Sequence, residues 1–300
     1  MLLEPTDDQF RALLAKHRLP EDGDLRRVTR EGVTTYVRLI GDLCVRVLKD
    51  QDYASDIYTE AVAAPAAFHA GIRTPELLVF DINKDTVESE ATIFRRVDGD
   101  ALGPNPDPEE ARAVWVQTSI EVGKMHQEIS GVDDPNSWLD VPDDTDLARW
   151  LGQSADRLPV GWAKWATDFA DRFSALGAAP NVFIHNDLHA QTIMVSDCRM
   201  SGIIDWGDAG WGDAALDFGH IPAEFLPESL SAYGREDHEF IGRCLREIVA
   251  ADLYGFAPEH GDEDWVRQLA LKHLRSLAAL WESPLDASWQ EWLHDPPQSG

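Results

Sequence analysis

The chain has 300 residues, enough for two regions that each bury a core. Its formal net charge of −28 argues against nucleic acid and anionic membranes as partners and suits a cationic small molecule, although a generally acidic surface would give the same figure. No apolar run is long enough to span a bilayer, so no membrane association is expected. The first residues, M-L-L-E-P-T-D-D, lack the basic start and apolar core of a signal peptide. Cys44, Cys198 and Cys244 are widely spaced and read as free thiols in a reducing compartment, so a cytoplasmic protein is expected.

In chain order, Thr6 to Arg18 predicts an amphipathic helix, capped by Thr6 or Asp7, with Phe10, Leu13 and Leu14 on one face. Leu25 to Val28, Tyr36 to Ile40 and Leu43 to Leu48 predict three strands, the last two joined by Gly41-Asp42. An alanine-rich helix follows from Asp56 to Ala70. Pro75 to Ile82 and Ala91 to Val97 predict two more strands, the second running into Arg95-Arg96-Val97-Asp98-Gly99. Ala101 to Pro108 reads as a proline-rich linker, and Asp107-Pro108 starts a helix that continues to about Ile129. Asp143 to Leu158 and Trp162 to Leu176 predict helices. Near the end of the chain, so do Glu224 to Ala232, Asp237 to Ala251 and Asp264 to Trp281.

Between these helix groups lies the stretch Val182 to Gly219. Val182 to Ile184, Ile193 to Val195 and Gly202 to Ile204 are short apolar runs that predict a small sheet. Asp187 sits in the polar loop after the first run, and Asp205 just past the last. That layout suits phosphoryl transfer: one carboxylate orients and deprotonates an alcohol, and the other holds the magnesium that bridges nucleotide phosphates. His185 reads as structural, Asp213 as a cap and Asp217 as a hydrogen-bond anchor.

His185, Asp187 and the loop after them, paired with Asp205-Trp206-Gly207, resemble the catalytic centre of the aminoglycoside phosphotransferase family, a small-molecule branch of the protein-kinase-like fold. The stretch is also similar to macrolide phosphotransferases. The resemblance implies a two-lobed α+β fold. Residues 1–99 would form an antiparallel-sheet nucleotide lobe, and 100–300 a mainly helical catalytic and substrate-binding lobe. It makes Asp187 the catalytic residue and Asp205 the Mg2+ ligand. Thr192 stands where the family usually has Asn, and would be a second metal ligand unless Gln191 or Asp208 takes that part. Cys44-Val45-Arg46-Val47 puts the phosphate-binding cation at Arg46. Lys49 is the rival, and strand alternation sends the two to opposite faces. Glu60 would pair with that cation, and the hinge at Arg96 and Val97 would offer its backbone to a base. The nucleotide flap would be Arg30 to Thr34, which has one glycine and no G-x-G-x-x-G.

The implied function is ATP- or GTP-dependent phosphorylation of a hydroxyl on a small-molecule antibiotic. An aminoglycoside or related basic antibiotic leads, and a macrolide is next. A metabolic kinase for choline, homoserine or a sugar amine shares the same motifs, and so does a nucleotide-binding module without catalysis.

Overall fold

The computed structural model describes residues 2–28, 32–103, 106–139, 147–258 and 263–297. Parts of the expected flap (30–31) and of the helix expected from Asp143 (143–146) lie outside them.

Helix α1 (Asp7–Lys16) opens with a capping box: the Thr6 hydroxyl accepts from Gln9 N and the Gln9 side chain accepts from Thr6 N. Its apolar face, Phe10, Leu13 and Leu14, packs against one face of an antiparallel sheet. That sheet has the order β1 (Leu25–Arg27), β2 (Thr35–Ile40), β3 (Leu43–Leu48), β5 (Ala91–Arg95), β4 (Leu77–Asp81). Alternation along β3 divides its side chains. Val45 and Val47 enter the core under α1, and Arg46 points the other way. Helix α2 (Ala54–His69) lies on that second side, burying Ile57, Thr59, Glu60, Ala63, Ala64 and Ala67.

The chain leaves this sheet through Gly99, whose φ of 98° suits glycine; a Cβ there would stand 1.9 Å from the Val195 carbonyl oxygen. Ala101, expected to open the linker, pairs instead together with Asp100. β6 (Asp100–Ala101) hydrogen-bonds to β8 (Ile193–Ser196), and β8 to β9 (Arg199–Ile203). The strand at 181–184 does not join them. β7 (Asn181–Ile184) pairs with β10 (Gly210–Asp213), an element that its sequence, Gly-Trp-Gly-Asp, does not signal.

The remainder is helical: α3 (Pro108–Glu128), α4 (Leu147–Ser154), α5 (Trp162–Phe173), α6 (Leu226–Tyr233), α7 (His238–Tyr254), α8 (Asp264–Ala279) and a short α9 (Ala287–Gln290). Asp107 caps α3 with Pro108 in its first turn, and Asp237 caps α7 through Phe240 N. A second core, with Trp115, Phe169, Phe183, Phe218 and Phe240 fully buried, joins these helices to both small sheets. Among the described residues no helix is long and apolar enough to cross a membrane.

Candidate active site

Arg46 is the centre of the cleft between sheet and helices. One guanidinium nitrogen donates to Glu60 Oε1, a second to Asp205 Oδ1 at 2.8 Å, and Nε to the Thr35 hydroxyl at 3.3 Å. The cation therefore ties β3, α2 and the turn after β9 together. Lys49, on the other face, donates to the Gly32 carbonyl at 2.6 Å. Burial opposes the charge on Arg46, but the Glu60 and Asp205 carboxylates outweigh it and hold the guanidinium above its ordinary range. Burial pushes Glu60, 2 % exposed, above the usual carboxylate range, and Arg46 pulls it back. Asp205 is held below that range: burial works against this, and the guanidinium wins.

Asp205 adopts a left-handed φ of 69°. The turn is seated by Trp206, fully buried with its indole nitrogen on the Thr74 hydroxyl at 2.8 Å. At Gly207 a Cβ would come within 2.9 Å of Asp56 Cβ, so α2 presses directly on this turn. Thr35 and Asp56 were not singled out from sequence. Thr35 lies two residues before Val37, the partner of Arg46 across β2 and β3, so the strand register would have found it. Asp56 gave no local signal. Burial and then Asp205 push its carboxyl upward.

Asp187 sits on the loop between β7 and β8, and the loop is held by buried polar groups. The Asp217 carboxylate accepts from His185 N (3.0 Å), Asn186 N (2.8 Å) and His126 Nε2 (3.0 Å). His185, fully buried, reaches Ile204 O at 3.0 Å through Nε2, tying the loop to the residue before Asp205. Asp213 accepts from Ala215 N as a cap. The Asp187 carboxyl is recessed; burial and the neighbouring Asp205 charge push it up to about 7. His189 Nε2 stands 3.5 Å from Asp187 Oδ2.

Two of the expected site residues are engaged within the protein itself. Thr192 is 2 % exposed, and its hydroxyl is engaged with the loop itself: it accepts from His189 N at 3.0 Å and faces the His189 and Asp187 carbonyls at 3.0 and 3.2 Å. A hydroxyl has one proton and two lone pairs, so these contacts suit a brace better than a metal ligand. Thr192→Val is therefore expected to cost about 1–3 kcal/mol of stability by leaving buried loop groups unpaired. The magnesium dependence of turnover should not change. A raised magnesium requirement at normal stability would restore the metal role. Arg96 also differs: its N–H donates to the Asp42 carbonyl at 2.7 Å, which takes that donor away from a base. Val97 packs where a Cβ on Gly202 would lie 3.1 Å from Val97 Cγ1.

A sheet with a helix on each face, a helical region beyond it, and an Arg–Glu–Asp cluster near an Asp-bearing loop match the class of kinase-like phosphotransferases. The family model described as phosphotransferase enzyme family matches residues 24–248, and the chain belongs to that family. A choline/ethanolamine kinase family protein from Mesorhizobium loti is 22% identical, with 95% of this chain and 97% of that chain covered at a TM-score of 0.62. Wild-type aminoglycoside 2'-phosphotransferase-IIIa, solved as a GDP complex, is 16% identical over 91% of this chain and 99% of its own, with a TM-score of 0.64. A macrolide 2'-phosphotransferase type I is 16% identical over 91% and 98%, with a TM-score of 0.60. Among curated proteins nothing matches the chain. The fold is thus the two-lobed, kinase-like one, and the chain is an enzyme of a phosphotransferase family.

Proposed function

We propose that this enzyme transfers the γ-phosphoryl group of ATP or GTP to a hydroxyl of a small-molecule antibiotic, an aminoglycoside or related basic compound first and a macrolide next. One observation carries the reading: Arg46, from the sheet, is paired at once with Glu60 on α2 and Asp205 beside the Asp187 loop. Residues 1–99 act as the nucleotide lobe, with Arg46 positioned for the phosphates by Glu60 and the backbone around Val97 next to the base. Residues 100–300 act as the catalytic and acceptor lobe. Asp187 orients the acceptor hydroxyl and takes its proton as the oxygen bonds to phosphorus.

Asp205 would hold Mg2+. Among the described residues no group of three or more His, Cys, Asp or Glu forms a ready metal cage, so the cation fits as one that arrives with phosphate and water ligands. When bound it neutralises charge on the phosphate oxygens. A nucleoside triphosphate donor supports a cytoplasmic location, and the net charge of −28 supports a cationic acceptor. The Mesorhizobium loti neighbour favours a second reading, a metabolic kinase of the choline or amino-alcohol type.

The test is turnover of the purified chain with magnesium-ATP and magnesium-GTP against aminoglycosides, macrolides, choline, ethanolamine and homoserine, with the product identified by mass spectrometry. Phosphorylated antibiotic is the expected result. A phosphorylated amino alcohol alone would favour the second reading. Absence of acceptor-dependent nucleoside diphosphate release across the panel would leave a nucleotide-binding module.

A further inference from the structure

Glu60 can serve Arg46 only if α2 stays seated, and a segment of the other lobe touches α2 one residue away from it. After α3 the chain turns at Asp134-Pro135-Asn136-Ser137, with proline at the second turn position and Ser137 at a φ of 55°. Ser137 N donates to the Asp134 carbonyl at 3.2 Å. The Asp134 carboxylate then accepts from Trp138 N and Leu139 N, both at 2.9 Å, and so fixes the direction in which Trp138 is presented. The Trp138 carbonyl accepts the Thr59 hydroxyl at 2.5 Å. Its indole packs against Tyr58, with ring centroids 4.9 Å apart, and meets Phe80 of β4 edge-on at 6.0 Å. Tyr58 and Phe80 also meet edge-on at 5.5 Å, closing a three-ring cluster. The Tyr58 hydroxyl continues to Glu90 Oε1 at 3.0 Å. Thr59 is 3 % exposed and Glu60 2 %.

We propose that Asp134–Leu139 is a strap from the helical lobe that seats α2, and that Trp138 is a positioning residue which keeps Glu60 against Arg46. The inference rests on the reading of Arg46 and Glu60 as nucleotide-binding groups. A loop that merely covered surface would need neither the hydroxyl–carbonyl bond nor the Asp134 clasp. It would also have no reason to contact α2 at the residues next to Glu60. The strap spans the two lobes, so its effect reaches the nucleotide through Glu60 and leaves the acceptor side alone.

The experiment is steady-state kinetics on the full chain with an acceptor it phosphorylates, together with amide hydrogen exchange over α2. Trp138→Ala is expected to raise the nucleotide KM about fivefold, the size expected from a lost pair of aromatic contacts. The acceptor KM should stay unchanged, and exchange should rise across 54–69 but not across 108–128. Trp138→Phe keeps a ring and the carbonyl and should restore the parent value. Thr59→Val removes only the hydroxyl and should raise the nucleotide KM about threefold. Should Trp138→Ala not fold, Thr59→Val carries the same test. Glu60→Gln is the reference. An unchanged nucleotide KM in Glu60→Gln overturns the nucleotide reading and the strap with it. A raised KM in Glu60→Gln beside unchanged values in Trp138→Ala and Thr59→Val overturns the strap alone.

Discussion

Asp187→Asn is expected to lower kcat by about 10²–10⁴-fold, the range for loss of a positioned general base. The affinity for magnesium-nucleotide should stay close to that of the parent. The amide keeps the size of the side chain and can still hold a hydroxyl, but it cannot take the proton as a carboxylate does. The state of Asp187 adds a second signature. Its carboxyl is pushed up to about 7 by burial and by Asp205, and it acts as a base only when ionised. The profile of kcat/KM should therefore rise with pH through about 7 in the free enzyme. In kcat the limb should shift to lower pH if magnesium, held at Asp205 as proposed, offsets the charge there. The rising limb should vanish in Asp187→Asn. Equal, mild effects of Asp187→Asn and Asp205→Ala on rate and on nucleotide affinity would contradict the division of roles between the two carboxylates.

Arg46→Ala is expected to be the most damaging change outside the catalytic loop. It removes the cation proposed for the phosphates and leaves Glu60 buried without its partner. Breaking a buried ion pair from one side costs about 3–5 kcal/mol. Denaturant midpoints would measure the loss, and calorimetry with magnesium-nucleotide the fall in affinity. The pH dependence has a definite sign. Without the guanidinium, burial keeps the Glu60 carboxyl protonated in the folded chain, whereas in the unfolded chain it ionises near its ordinary value of about 4.3. The folded state then holds the extra proton, so the stability of Arg46→Ala should fall as pH rises above that value until the folded group also ionises. Adding Glu60→Leu should recover stability and flatten the profile while leaving nucleotide affinity low. Full stability of Arg46→Ala at neutral pH, with no such slope, would show that Glu60 finds another partner.

What the sequence made legible follows from the range of each signal. Period-two alternation in Cys44-Val45-Arg46-Val47 distinguishes the faces of one strand, and Arg46 does face α2 while Lys49 turns to Gly32. The acids at 187 and 205 are read from the loop and turn that carry them, and the Asp205 charge does reach the Asp187 carboxyl. Asp217 and Asp213 serve as anchor and cap, as their positions suggest. Pairing between distant segments was not legible. Gly210–Asp213 has two glycines and no apolar alternation, so nothing local marks it as the partner of β7. Ala101 reads as the start of a linker, because a two-residue strand carries no period. Thr192 departs from the family's Asn, and only the surrounding carbonyls reveal where its hydroxyl goes. The contact of Trp138 with Thr59 joins residues 79 apart in sequence, beyond any local pattern.

The Asp217 carboxylate gathers two backbone amides of the catalytic loop and a histidine of α3 at one buried point. The loop is thereby hung from the interior of its lobe, through α3 and the segment that carries Asp217. Side chains that do not meet at this point can change without releasing that anchor. Such a layout separates what selection must keep from what it is free to rebuild. One set of reacting groups can then be inherited unchanged while the surrounding walls are remodelled for a new acceptor, so descent within such a lineage conserves the reaction more faithfully than the substrate.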